Sequence, residues 1–130
     1  MSNALSPAIY LKAYLPVAAW ALTIFILSSQ GSLPGFSVSA ADFVFKKSAH
    51  MFVYAVLYYL FWRAVQKTHP TPTTSQTFIH WALPLGLTLL YAASDELHQT
   101  FVPYRYGTIR DVGYDMLGAC IVFLRQYRYI

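Results

Sequence analysis

Four long apolar segments, each close to the length of a membrane-spanning helix, dominate this chain of 130 residues. A helix needs roughly 20 apolar residues to cross the hydrocarbon, and it satisfies its own backbone hydrogen bonds there. Charged residues make up only 11% of the chain, against roughly 25% in ordinary soluble domains. We therefore predict an all-α, membrane-spanning four-helix bundle, with residues 1–130 as a single domain. The predicted helices lie at about residues 10–29, 47–64, 78–97 and 108–127.

A signal peptide is the competing interpretation of the first segment. Lys12, the apolar run after it and VSAA near position 40 resemble the regions of a cleavable leader. The apolar run is long for that role, and the spacer from Ser28 to Ala40 contains Pro34 and glycines. We therefore favour an uncleaved first helix.

The Lys and Arg distribution indicates an orientation in the cell membrane. With four spans, both termini and the Pro/Thr-rich connector at 67–77 lie on one side, which holds five Lys or Arg against four on the other. This bias favours cytoplasmic termini in a multi-pass protein, with the acidic end facing outward. The chain has a net charge of +4 but no basic run, so we expect no nucleic-acid partner. The single Cys120 allows no internal disulfide.

Three polar stripes are predicted to converge at the outward end. Residues three, four or seven apart share one face of a helix. The stripes are Lys47, His50 and Tyr54 in the second segment, Asp95 and Gln99 in the third, and Asp111, Asp115 and Gly118 in the fourth. An ionised carboxylate deep in the membrane costs several kcal/mol. We therefore expect Asp115 to face the bundle interior, in one polar pocket that opens outward.

Several of these residues fall within motifs of a known family. LSSQ ends the first segment, KSAHMFVY opens the second, and SDELHQTFVPYRYGTIRDVGYDMLGA covers the end of the third and the start of the fourth. This pattern resembles the VanZ-like family of small membrane proteins, named for a teicoplanin-resistance protein. Two positions depart from it: Tyr104 stands where the family usually has Gly, so the turn before Arg105 is expected to differ, and Asp115 stands where Asn is common.

The resemblance implies an envelope-linked integral membrane protein, associated at family level with glycopeptide resistance. The function we predict is to bind or modify an anionic lipid-linked or envelope-precursor substrate. For the chemistry, the expected proton-transfer or water-positioning groups are His50, Asp95, Glu96 and Asp111. The expected substrate-binding groups are Lys47, Tyr54, Gln99, Arg105 and Asp115. Arg binds phosphate or carboxylate through its planar fork, and His exchanges protons near neutral pH.

Other interpretations stay open. The charged groups could form a polar network that only fixes helix packing. The chain could instead be a small transporter or scramblase, or a non-catalytic subunit with a membrane-protein partner or a second copy of itself. Whether it is an enzyme is undecided. We expect no cofactor and no zinc motif, although Asp95, Glu96 and Asp111 could hold a divalent cation such as Mg²⁺.

Overall fold

The computed structural model describes residues 6–70 and 78–130, and it confirms the predicted all-α fold of four helices. Within that part of the chain there is no β-strand. The helices are α1 (Pro7–Ser28), α2 (Ser39–Thr68), α3 (Phe78–Gln99) and α4 (Ile109–Gln126). Most of the predicted connector at 67–77, and the first five residues of the predicted domain, lie outside the described residues.

Helix α2 is longer than the apolar pattern predicted. It begins at Ser39 rather than Lys47 and ends at Thr68 rather than near Ala64. Its 30 residues span about 45 Å, more than the ~30 Å hydrocarbon thickness. The extra N-terminal turns contain Asp42 and Lys46 among apolar residues, and Asp42 in the first turn suits the positive end of the helix dipole. A prediction based on apolar runs misses turns of this kind.

Helix α2 is the central element of the bundle. It packs against all three other helices, whereas α1 and α4 do not touch each other within the described ranges. Leu57 and Ala64 of α2 are fully buried in the core. The Trp20 indole nitrogen donates a hydrogen bond of 2.9 Å to the Val53 carbonyl oxygen. Trp20 therefore joins α1 to α2.

Gly118 sets the closest approach between α2 and α4. A Cβ atom at this position would overlap the backbone of Met51. Small residues allow helices to approach in this way. The register that results places the polar residues of the two helices opposite each other.

Only α1, among the described helices, is both long and apolar enough to count as a membrane span by length and composition. The charged members of the three polar stripes lie on α2, α3 and α4, and they lower the hydropathy of those helices. All four helices nevertheless carry large exposed apolar side chains. Examples are Leu15, Phe52, Leu90 and Leu117.

Candidate functional site

Two acid–base pairs join α2 to α4. Lys47 Nζ forms a salt bridge with Asp111 Oδ1. One turn further into the bundle, His50 Nδ1 lies 2.8 Å from Asp115 Oδ1. The Lys47–Asp111 pair is partly exposed, whereas the Asp115 side chain is fully buried. The same side of α2 therefore meets the Asp111–Asp115 stripe along successive turns.

Helix α3 completes this polar cluster. The Tyr54 hydroxyl donates a hydrogen bond of 2.9 Å to Asp95 Oδ2. Gln99 Nε2 donates to the same oxygen at 3.2 Å and to Glu96 Oε1 at 3.4 Å. Arg105 Nη2 donates to Gln99 Oε1 at 2.8 Å, which connects the following loop to the cluster. We call these residues the polar stack: Lys47, His50, Tyr54, Asp95, Glu96, Gln99, Arg105, Asp111 and Asp115.

Thr108 orders the end of this loop, although the sequence reasoning did not single it out. Its backbone N–H donates to Glu96 Oε2 at 2.9 Å, and its side chain accepts from the Asp111 N–H at 3.2 Å. Thr108 is thus the N-cap of α4. The spacing Thr-x-x-Asp resembles a capping box, in which Glu or Gln occupies the fourth position. This spacing is the sequence signal that could have identified Thr108 as the N-cap. Gly107 permits the approach, because a Cβ there would overlap the Glu96 carbonyl.

A cleft of about 540 Å³ lies against the polar stack at the end of the bundle where α1 and α3 end. Its walls come from the loop 29–38, the early turns of α2 and the loop 100–108. A recess of about 80 Å³ shares His50, Gln99 and Arg105 with the cleft and reaches Tyr54 and Asp95. The volume of the cleft is within the ~300–1,000 Å³ that is typical of small-molecule sites.

Seven of the nine predicted site residues line the cleft or its recess. They are Lys47, His50, Tyr54, Asp95, Gln99, Arg105 and Asp111. Glu96 and Asp115 line neither and are buried behind the cleft wall. The sequence reasoning did not name the apolar part of the wall, which includes Leu27, Leu33 and Phe45.

The cations near the cleft differ in what they pair with. Asp111 pairs with Lys47, and Asp42 pairs with Lys46 at 2.7 Å. Arg105 forms no ion pair with any acid in the described parts of the chain; it donates to Gln99 and, at 3.4 Å, to the Gln30 carbonyl. Arg105 is therefore the better placed cation for an incoming anion.

His50 gives the cleft wall a group that can move protons. It lines the cleft and the recess, and the buried Asp115 orients its ring. An imidazole held in this way can act as a general acid or base. Ligand atoms of His50, Glu96 and Asp115 also lie within 4.8 Å of one another, close enough to share a metal ion.

Tyr104 forms part of the cleft and has an uncommon backbone conformation. Its φ is 64°, in the left-handed region, which glycine adopts without steric cost. The family resemblance expects Gly here, and the turn was predicted to differ. Tyr104 adopts the left-handed conformation despite its Cβ, so the residue carries strain and places its side chain at the cleft. A turn different from the family's stays a prediction.

Comparison with known proteins supports a family assignment. No curated protein and no solved structure matches the chain. A family model described as VanZ/LLP1 matches residues 9–127, which is nearly the whole chain and includes every residue of the polar stack. The resemblance drawn from the sequence motifs is thereby confirmed, and the chain belongs to the VanZ/LLP1 family.

Proposed function

We propose that the chain is a multi-pass membrane protein of the cell envelope whose cleft binds the anionic headgroup of a lipid or lipid-linked precursor. The observation that carries this proposal is Arg105, a cation without an acidic partner in the described ranges, on the wall of a cleft of ligand size. An arginine binds phosphate or carboxylate oxygens in pairs through its planar fork.

The rest of the cleft suits an amphiphile. Beside Arg105, the wall includes Leu27, Leu33, Pro34 and Phe45. Apolar walls with a few convergent polar groups are typical of ligand sites. A headgroup at Arg105 would therefore leave its acyl or isoprenoid chain against apolar surface.

Three features support insertion of the helices in a membrane. Membership of the family favours a membrane location, and α1 has the length and composition of a span. Exposed apolar side chains cover the other helices as well, including Phe52, Leu89, Leu90 and Ile121. Contiguous apolar surface of this kind is uncommon on soluble monomers. We propose cytoplasmic termini and an outward-facing cleft, from the Lys and Arg distribution.

The test is ligand binding by the purified chain in detergent. We expect a polyprenyl phosphate and phosphatidylglycerol to bind, and phosphatidylcholine, which has no net charge, to bind more weakly. Inorganic phosphate and glycerol phosphate, without an apolar chain, separate headgroup recognition from binding of the tail. Replacing Arg105 with Ala should weaken binding of the anionic lipids about 10- to 100-fold, the usual range for a lost charge-assisted hydrogen-bonding pair.

Arg110→Ala is the matched control. Arg110 lies at the same end of the molecule and is exposed, and it lines neither the cleft nor its recess. The two variants lose the same charge, so a surface effect would appear equally in both. Equal affinity of the wild type and Arg105→Ala for every anionic lipid would refute the proposal. A contribution to glycopeptide resistance stays a prediction from the family resemblance, and drug susceptibility of a deletion strain tests it.

A further inference from the structure

Three side chains from three helices meet behind the cleft wall. His50 comes from α2, Glu96 from α3 and Asp115 from α4, and one ligand atom of each lies within 4.8 Å of the others. Nitrogen and oxygen ligands bind metal ions at roughly 2.0–2.4 Å, so ligand atoms around one ion lie no more than about 4.8 Å apart. The spacing of the three side chains therefore fits a single ion.

Asp115 supplies a second and independent observation. Its side chain is 0% exposed, and one carboxylate oxygen, Oδ1, contacts His50. The other, Oδ2, is buried without a hydrogen-bond partner in the described residues. A buried carboxylate oxygen without a partner is costly. A cation within reach of Oδ2 would remove that cost.

The charge balance of the polar stack points the same way. It contains the carboxylates of Asp95, Glu96, Asp111 and Asp115, against the permanent cations Lys47 and Arg105. With His50 neutral, as a metal ligand must be, four negative charges less two positive ones leave two negative charges. One divalent cation would neutralise them.

We infer that His50, Glu96 and Asp115 bind one divalent transition-metal ion. An imidazole with two carboxylates favours ions that accept both nitrogen and oxygen, such as Zn²⁺ and Mn²⁺, over Mg²⁺ and Ca²⁺, which prefer oxygen alone. Three protein ligands leave at least one coordination position for water or an anion oxygen. His50 also lines the cleft, so the ion would lie next to the proposed headgroup site. This site goes beyond the proposed function, because metal binding requires no lipid.

The experiment uses the purified full chain in detergent, stripped with a chelator and titrated calorimetrically with ZnCl₂ and with MnCl₂. We expect one ion per chain. Asp115→Asn and His50→Gln should each weaken binding by at least about tenfold, since even outer-shell changes cost about 10–100-fold.

Asp95→Asn is the matched control. Asp95 is a buried carboxylate of the same polar stack but lies outside the three-residue group. This variant should keep its affinity for the metal within a few-fold. Arg105→Ala should also retain the metal, so failure of lipid binding and failure of metal binding are distinguishable.

Several results would overturn the inference. They are no stoichiometric binding to the wild type, equal affinity in Asp115→Asn and His50→Gln, or an equal loss in Asp95→Asn. Binding of Mg²⁺ in preference to Zn²⁺ and Mn²⁺ would also overturn it. If neither ligand variant folds, Mn²⁺ electron paramagnetic resonance of the wild type decides. Coupling to an imidazole nitrogen supports the site, and its absence refutes it.

Discussion

At the scale of single residues, Tyr104 combines an unfavourable backbone conformation with exposure. Its φ is 64° and it is 88% exposed, so its side chain contributes little burial to offset the strain. A left-handed conformation costs an L-residue about 1–2 kcal/mol, and glycine loses about 0.5–1 kcal/mol through the entropy of the unfolded chain. We therefore expect Tyr104→Gly to raise the free energy of unfolding by about 0.5–1 kcal/mol.

Denaturant unfolding in detergent, followed by circular dichroism, measures this change. Tyr106→Gly is the matched control, because Tyr106 is 84% exposed in the same loop and has no positive φ. That variant should lower the stability, since it adds entropy to the unfolded chain without relieving strain. Similar losses in both variants would show that the conformation of Tyr104 carries no strain.

The residue scale also shows what could and could not be predicted. The acidic and basic side chains of the polar stack were identifiable because charge is rare in this chain and costly in a membrane. Their partners were not identifiable, because nothing in the sequence pairs Lys47 with Asp111 or His50 with Asp115. Those pairs depend on the register of α2 against α4, which is a tertiary property. The family resemblance marked position 104, but the backbone conformation there came only from the structure.

At the scale of elements, the contact between α2 and α4 controls the geometry of the site. It brings together both acid–base pairs, and it depends on Gly118, where a Cβ would overlap the backbone of Met51. Backbone atoms cannot rotate away as a flexible side chain does. We therefore expect Gly118→Ala to lower the free energy of unfolding by about 1–3 kcal/mol, the usual cost of overpacking.

Gly113→Ala is the control for this change. Gly113 lies in the same helix, and nothing lies within 4 Å of a Cβ built there. The substitution should therefore raise the stability by up to about 1 kcal/mol, because alanine favours the helix. Thermal unfolding of both variants in one detergent measures the difference. A stabilised Gly118→Ala would mean that α2 and α4 do not approach this closely.

The helices themselves were largely predictable. Each apolar run is close to the length of a membrane-spanning helix and ends near Gly, Pro or polar residues. The exception is the start of α2 at Ser39, where turns that contain Asp42 and Lys46 precede the predicted helix. The stripes on α2, α3 and α4 followed from helical periodicity alone. The depth of each side chain in the bundle did not follow from the periodicity. The periodicity does not distinguish the residues that line the cleft from Glu96 and Asp115, which lie behind its wall.

At the scale of the whole molecule, the number of membrane crossings decides which compartment the cleft faces. Length and composition identify α1 alone as a span among the described helices, whereas exposed apolar side chains on all four favour four crossings. Several of the charges that lower the hydropathy of α2, α3 and α4 belong to the polar stack, namely Lys47, Asp95, Glu96, Asp111 and Asp115. These side chains face the interior of the bundle. Mean hydropathy over a window of the helix therefore includes charged residues that would not contact lipid.

Single cysteines in a Cys120→Ala background distinguish the two topologies. Val38 and Tyr106 are exposed near the cleft end of the bundle, and Tyr129 is exposed near the C-terminus. If all four helices cross, an impermeant maleimide added to intact cells should label Val38→Cys and Tyr106→Cys. It should label Tyr129→Cys only after the membrane is permeabilised. If α1 alone crosses, all three positions lie on one side and label together. Labelling of Tyr129→Cys alone in intact cells would keep the four crossings and reverse the orientation, so that the cleft faced the cytoplasm.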